Sequence, residues 1–392
     1  MFALGLLIFI VLRAFSAQAK VSNDFDFCKD FFFKKTEPTG MDQNAKKICQ
    51  CMSDVPYYAT LYSVHHRIPL YSAYRFDLDC KKDSGSSNIW YLEPQLSKPA
   101  WHYCMVSEKQ KLQNNYKLNQ AISSDYTKSG YDRGHLNPNS FQCGVGRTAT
   151  STLTNAAPMD PCFNRVHWKD WESTLRDFLQ GKLNNIHATA YIVTGTVPNA
   201  NIRIPQKEIS KDPERVTVPS HIWTAVCYEH STDDKESFSF GYMGTNQPQN
   251  DIKLMSVSEL NRELSKLYRV SPDIKIFKDD CFGDNKSDDV KATFNEIMSL
   301  NVQNTRKRTI SSDNFLVETI VGLQQRVLCF SEAVSNTHMS TEHCWEIVGY
   351  ETHTHNPHMA YFGKFSISQT CPLLYKFCMY LSLQMFTHCV LS

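Results

Sequence analysis

The chain carries almost no net charge: Lys and Arg total 41 against 40 Asp and Glu, a formal +1 over 392 residues. That balance excludes capture of a polyanion by bulk electrostatics, so any nucleic-acid role has to rest on a local site. It does not exclude turnover, because a metal ion and a few placed cations can hold a phosphate. No internal repeat is evident. The paired carboxylates of a sugar hydrolase and the two-metal cluster of a phosphomonoesterase do not stand out either. His338, His343, Cys344, His353, His355 and His358 are donor types for zinc. They lack the paired short spacings of a zinc module and read as a His-rich loop region. Long apolar runs are also missing. Phe2 to Val11 is too short to span a bilayer, and the apolar-biased stretch Cys371 to Ser392 is interrupted by Lys376, Gln384 and His388, which leaves membrane association undecided.

What is present begins with that leader. The apolar run after Met1 passes into Ala17-Gln18-Ala19, a small-x-small cleavage pattern, and polar chain starts at Lys20. This reads as a secretory signal over residues 1–19, cleaved after Ala19, and places the mature protein outside the cell. All 14 cysteines lie after that point, so disulfides are expected over free thiols. Cys28, Cys49, Cys51, Cys80, Cys104, Cys143, Cys162, Cys227 and Cys281 form an odd set before residue 282, so at least one is free or pairs with the tail. Connectivity stays open. The sequon Asn285-Lys286-Ser287 offers a glycan site consistent with export. The text turns polar from Gly283 to Asp313, which sets the expected organisation: a signal at 1–19, one domain at 20–282 and a C-terminal extension at 283–392.

Within the domain, Tyr57 to Tyr62 and Ile68 to Phe76 alternate apolar and polar residues around a short basic connection and predict a hairpin. Ile89 to Leu92, Ala190 to Thr194 ending at Gly195, Trp223 to Tyr228 and Phe238 to Met243 are further strand candidates. Asp160-Pro161 predicts a helix entry, with the pattern running to about Gln180 before Gly181 and Trp171, Leu175 and Phe178 facing the core. Ser256-Val257-Ser258-Glu259 is a capping box ahead of Leu260, Leu264 and Leu267. Strands interrupted by helices in this way suggest an α+β domain on a mixed or antiparallel sheet.

The chemistry-bearing text is Tyr131-Asp132-Arg133-Gly134-His135-Leu136-Asn137-Pro138, in a stretch expected to be loop. Taken alone it reads as a turn, with Asp132 paired to Arg133 and Gly134 supplying an unusual backbone angle. It is followed by Thr154-Asn155-Ala156-Ala157-Pro158 and by Asn164, Glu172 and Arg176, which recur at helical spacing with Trp168. Together, in this order, the pieces resemble the DNA/RNA non-specific endonucleases, the ββα-metal (His-Me finger) nucleases. Lys47 to Gln50, Tyr58 to Tyr62, Arg67 to Tyr74 and Glu93 to Gln95 are similar to a secreted branch of that family. The likeness runs from about Phe27 to about Cys281.

The resemblance implies a disulfide-containing ββα-metal core and a hydrolase cutting phosphodiesters of DNA and RNA with little sequence preference and 5′-phosphate products. His135 would be the general base, polarised by a backbone carbonyl, and Asn164 would hold one hydrated divalent cation. Magnesium is the expected ion, with manganese or calcium as alternatives, and no organic cofactor is implied. A neutral amide ligand leaves such an ion its charge and most of its waters. Glu172 would hydrogen-bond the ion's water shell, Asn155 would position the site, and Arg176 would stabilise charge on the scissile phosphate, with Arg133 approaching it. Asp132 would brace the loop. A further upstream arginine of the family has Arg67 and Arg75 as candidates, and His167 reads as a solvent-facing helix residue. The competing reading is a catalytically inactive secreted nucleic-acid-binding or interaction protein on the same scaffold. Intact His135, Asn164 and Glu172 argue against it.

Overall fold

Alternation of apolar side chains decides the architecture, because each long strand has two faces to cover. A computed structural model describes residues 21–282 except 43, 79–88, 110–113, 184–187 and 249–251. The leader, Asn285 and the 283–392 extension lie outside the described residues. All described residues belong to the first of two units, Met1–Ile297. An eight-stranded sheet runs in the order β1 (Val21–Ser22), β2 (Lys46–Met52), β3 (Val55–Ser63), β4 (Ile68–Arg75), β9 (Ala188–Ile204), β10 (Val216–His230), β11 (Phe238–Thr245) and β12 (Lys253–Met255). Every pairing in it is antiparallel, so of the two expected sheet types the antiparallel one forms.

In β10, Ile222, Val226 and Tyr228 enter one hydrophobic core while Trp223, Ala225 and Cys227 enter the other. This is the period of two that a sheet covered on both faces requires. The second core is closed by Phe25, Phe32 and Phe33 of the N-terminal segment and by α4 (Val257–Tyr268). Ser256 and Glu259 cap α4 reciprocally, as the capping box predicts. The first core lies beneath two small hairpins, β5 (Tyr91–Leu92) with β6 (Val106–Ser107) and β7 (Asp132–His135) with β8 (Ala156–Met159), and beneath α3 (Lys169–Leu183). Short helices α1 (Ser123–Tyr126) and α2 (Gly144–Ala149) connect these pieces. Among the described residues no helix is long and apolar enough to cross a membrane.

The expected hairpin forms as β3 and β4, and the expected entry at Asp160 forms too, with Oδ1 accepting from the amides of Cys162 at 2.9 Å and Phe163 at 3.0 Å. The helix opens as a π-turn segment, Phe163–Trp168, before continuing as α3. Trp171, Leu175 and Phe178 are buried as expected. Gly181 does not stop the helix, which runs to Leu183, and Gly195 does not end its strand, which runs to Ile204. At Gly195 the missing side chain serves packing: a Cβ there would lie 2.2 Å from Trp223 Cζ2 and 2.5 Å from the Leu70 carbonyl. The strand expected from 89 is shorter and starts at Tyr91, and His135 ends a strand instead of riding a loop.

Among the described residues Cys28–Cys49, Cys51–Cys104 and Cys227–Cys281 are disulfides, with sequence separations of 21, 53 and 54. Cys143 and Cys162 are disulfide-bonded as well. Closing loops of these lengths contributes about 3–4 kcal/mol each in the chain-entropy account. Gly195→Ala is expected to destabilise the fold by roughly 2–3 kcal/mol, since neither Trp223 nor the Leu70 backbone can retreat, and a urea titration measures this.

Candidate active site

The site is built on the β7–β8 hairpin and the helix that follows it. Asp132 faces Met159, Arg133 faces Pro158, Gly134 faces Ala157 and His135 faces Ala156 across the pair. Gly134 has no left-handed backbone angle; a Cβ on it would meet Met159 Sδ at 2.2 Å, so it is there for close approach of the two strands. Asp132 does not pair with Arg133. Its carboxylate receives both forks of Arg165, at 2.6 and 2.7 Å, and Nδ2 of Asn164 at 3.0 Å. The sequence showed Arg165 only as the residue after Asn164, without a signal for this contact.

The hydrogen bond from Asn164 joins the helix entry to the strand that ends in His135. His135 lies three positions beyond Asp132 on that strand, about 10 Å between their backbone positions. With its NH2 committed to Asp132, the Asn164 amide presents its oxygen on the opposite edge.

Asn155 is fully buried and uses its whole amide. Oδ1 accepts from Ser72 Oγ at 2.9 Å and from the Asn137 amide at 3.0 Å, while Nδ2 donates to the carbonyls of Asn137 at 3.0 Å and Thr150 at 2.9 Å. Leu136 N donates to Asn155 O at 2.9 Å. One side chain thus ties the segment after His135 to strand β4. Beside it, Tyr74 donates to the Leu136 carbonyl at 3.3 Å and meets Thr194 Oγ1 at 2.9 Å, which meets Thr224 Oγ1 at 2.9 Å. Beyond β8, Asn246 donates to the carbonyls of Pro158 and Pro219 at 2.9 Å and accepts from Asp160 N at 2.8 Å.

The His135 ring packs against Trp90 with centroids 5.1 Å apart. Its Nε2 is buried and has no hydrogen-bond partner among the described residues. No ring-to-carbonyl hydrogen bond of His135 is present among the described residues, where the ring meets the Trp90 indole. Burial, and then the Arg133 charge, push its pKa down to about 4, so the imidazole is neutral near pH 7 and able to accept a proton. Arg133 lies over the Trp90 ring at 4.6 Å and donates to Ser123 Oγ at 3.1 Å. Among the described residues no carboxylate pairs with it. Trp90 went unassigned in the sequence because nothing local marks a tryptophan whose partners lie more than 40 residues away.

Glu172 is half-buried, and burial raises its carboxyl to about 8, opposed by the adjacent Trp168 indole. Arg176 pairs with Asp177 at 3.0 and 3.1 Å. The two upstream candidates are both engaged by main chain: Arg67 binds the carbonyls of Leu118 and Arg215, and Arg75 that of Asp30. His167 is not solvent-facing but half-buried, its Nε2 at 2.8 Å from the Pro248 carbonyl.

A divalent ion is compatible with this donor set. Among the described residues no group of three or more His, Cys, Asp or Glu could hold a metal. Asn164 offers one anchored amide oxygen, and Glu172, eight residues further along the helix, carries a carboxyl that burial keeps protonated up to about pH 8. Such a sparse set suits an ion that keeps most of its own waters, as magnesium does.

A sequence profile described as DNA/RNA non-specific endonuclease matches residues 37–279. The chain belongs to that family. Within it, the chain is similar to the endonuclease domain-containing 1 protein of Homo sapiens, at 30% identity over 271 residues, covering 68% of this chain and 50% of that protein. The Mus musculus protein of the same name is 31% identical over 261 residues, covering 66% and 48%. The chain therefore spans about half the length of these relatives. A crystal structure of the EndoG/EndoGI complex superposes on 63% of this chain and 91% of that one at 18% identity, with a TM-score of 0.40. The family's matched region contains every site residue named above.

Asn155→Ala would leave Ser72 and two main-chain carbonyls short of partners in a dry core. A loss of roughly 3 kcal/mol or more is expected in denaturant unfolding.

Proposed function

We propose that the chain is a secreted, metal-dependent endonuclease that hydrolyses phosphodiester bonds of DNA and RNA with little sequence preference. The observation that carries this reading is the Asn164 to Asp132 hydrogen bond, which fastens the candidate ion ligand to the strand bearing the candidate base. Family membership supplies the substrate class, and three disulfides agree with an oxidising compartment.

In this mechanism His135, neutral and with Nε2 unengaged, accepts a proton from the attacking water. Arg133 offers its charge to the scissile phosphate because, among the described residues, an indole and a hydroxyl hold it and no carboxylate does. Arg176 stabilises charge on the same phosphate after exchanging its surface partner Asp177 for it. Asn164 would hold the cation, with Glu172 hydrogen-bonding its water shell, and the cation supplies positive charge at the phosphate oxygens. Asn155 acts by fixing the backbone that follows His135. Nothing in this set reads base edges, hence the lack of sequence preference.

Purified mature protein is expected to degrade plasmid DNA and single-stranded RNA with Mg²⁺ and to stop when EDTA is added. His135→Ala and Asn164→Ala should each lower the rate by about 10²-fold or more while remaining folded. Nucleic-acid binding that survives EDTA without any cleavage by the wild type would instead establish the inactive binding protein.

The Glu172 carboxyl binds its proton up to about pH 8, and it accepts fully from the ion's water shell only once that proton is lost. Apparent Mg²⁺ affinity should therefore rise with pH, by up to about tenfold per unit below 8, and level off above it. Calorimetric titrations of wild type and Glu172→Gln check this, the variant losing the pH dependence.

A further inference from the structure

Trp90 joins the two groups to which the proposed reaction assigns proton transfer and phosphate contact. Its indole carries the Arg133 guanidinium at 4.6 Å and packs against the His135 ring at 5.1 Å. Arg133 and His135 are two apart on β7 and so project to the same side of the strand, where one large ring can meet both. The ring is held in its turn. Glu108 N donates to the Trp90 carbonyl at 2.7 Å, and the Glu108 carboxylate accepts from Ser123 N at 2.9 Å and from the Ser123 hydroxyl. The same hydroxyl accepts from Arg133 Nη1 at 3.1 Å. Trp90, Glu108, Ser123 and Arg133 thus close a bracket in which each member fixes the next.

We infer that Trp90 is a positioning residue for the nuclease reaction, holding the Arg133 guanidinium and the His135 ring in a fixed relation on one side of β7, with Glu108 and Ser123 closing the bracket. This inference rests on the nuclease reading. The chemistry favours an aromatic for this task. An indole face attracts a guanidinium without neutralising it, whereas a carboxylate in the same place would compete with the substrate's phosphate. The Glu108 carboxylate is kept one hydroxyl away from Arg133, so it restrains the bracket without pairing with the cation.

The test compares Trp90→Phe, which keeps an aromatic face, with Trp90→Leu, which keeps apolar bulk alone. Binding of a short fluorescent single-stranded oligonucleotide in EDTA reads Arg133 without turnover. Cleavage of the same strand with Mg²⁺ reads both groups. Trp90→Leu is expected to weaken binding and to lower kcat/KM on the order of 10- to 100-fold with a thermal midpoint close to wild type. Trp90→Phe should retain most of both. In EDTA, the Trp90→Leu/Arg133→Gln double variant should bind no more weakly than Arg133→Gln alone, since the ring acts through that side chain. Additive losses in the cycle, or a Trp90→Phe as impaired as Trp90→Leu, would overturn the inference. A wild type that binds the strand and never cuts it would defeat the nuclease reading, while the binding cycle would still decide the bracket.

Discussion

One buried amide holds the site together. Asn155 sits in the short turn before β8 and fills all four of its hydrogen-bonding positions, two with the backbone of Asn137, one with Thr150 and one with Ser72 on the large sheet. A buried amide with every position met is worth more than the sum of its bonds, because each neighbour would otherwise lack a partner in a low-dielectric core. The β7–β8 hairpin is only four residues long on each side and two such strands have little stability of their own. Its position relative to the sheet therefore depends on this anchor, on Tyr74 beneath Leu136, and on Asn246 at the far end of β8.

The electrostatics around that hairpin follow from which arginines have carboxylate partners. Arg165 is committed to Asp132, Arg215 to Asp125 at 2.8 Å, and Arg67 and Arg75 to main-chain carbonyls. Among the described residues Arg133 meets an indole and a hydroxyl. In a chain with almost no net charge, a guanidinium that has no carboxylate partner among the described residues, beside a neutral imidazole, is the kind of local feature that anion binding needs.

Much of this was legible in the sequence where local rules govern. The alternation in Tyr57 to Tyr62 and Ile68 to Phe76 gives β3 and β4, Asp160-Pro161 gives the helix entry, and Ser256 with Glu259 caps α4. Glycine misled in three places. Gly181 and Gly195 read as stops and Gly134 as a turn, yet none has a left-handed backbone angle. Gly134 and Gly195 are there because Met159 and Trp223 need the room, which is a property of a neighbouring strand and invisible along the chain. The same reason hid Trp90 and Arg165, whose partners are fixed by tertiary contact alone. The order of Arg133, His135, Asn155, Asn164, Glu172 and Arg176 was legible as a pattern, whereas the partnership of Asn164 with Asp132 required coordinates.

The row of hydroxyls from Thr224 through Thr194 to Tyr74 ends on the carbonyl of Leu136. The floor under the strand that ends in His135 is thus a seam of alcohol groups in dry surroundings, crossing three neighbouring strands. Anyone hardening this scaffold by exchanging such threonines for valine, a swap of nearly equal shape, would cut that seam and shift the main chain next to the imidazole. Thermal robustness and the placement of the His135 main chain consequently depend on the same few oxygen atoms.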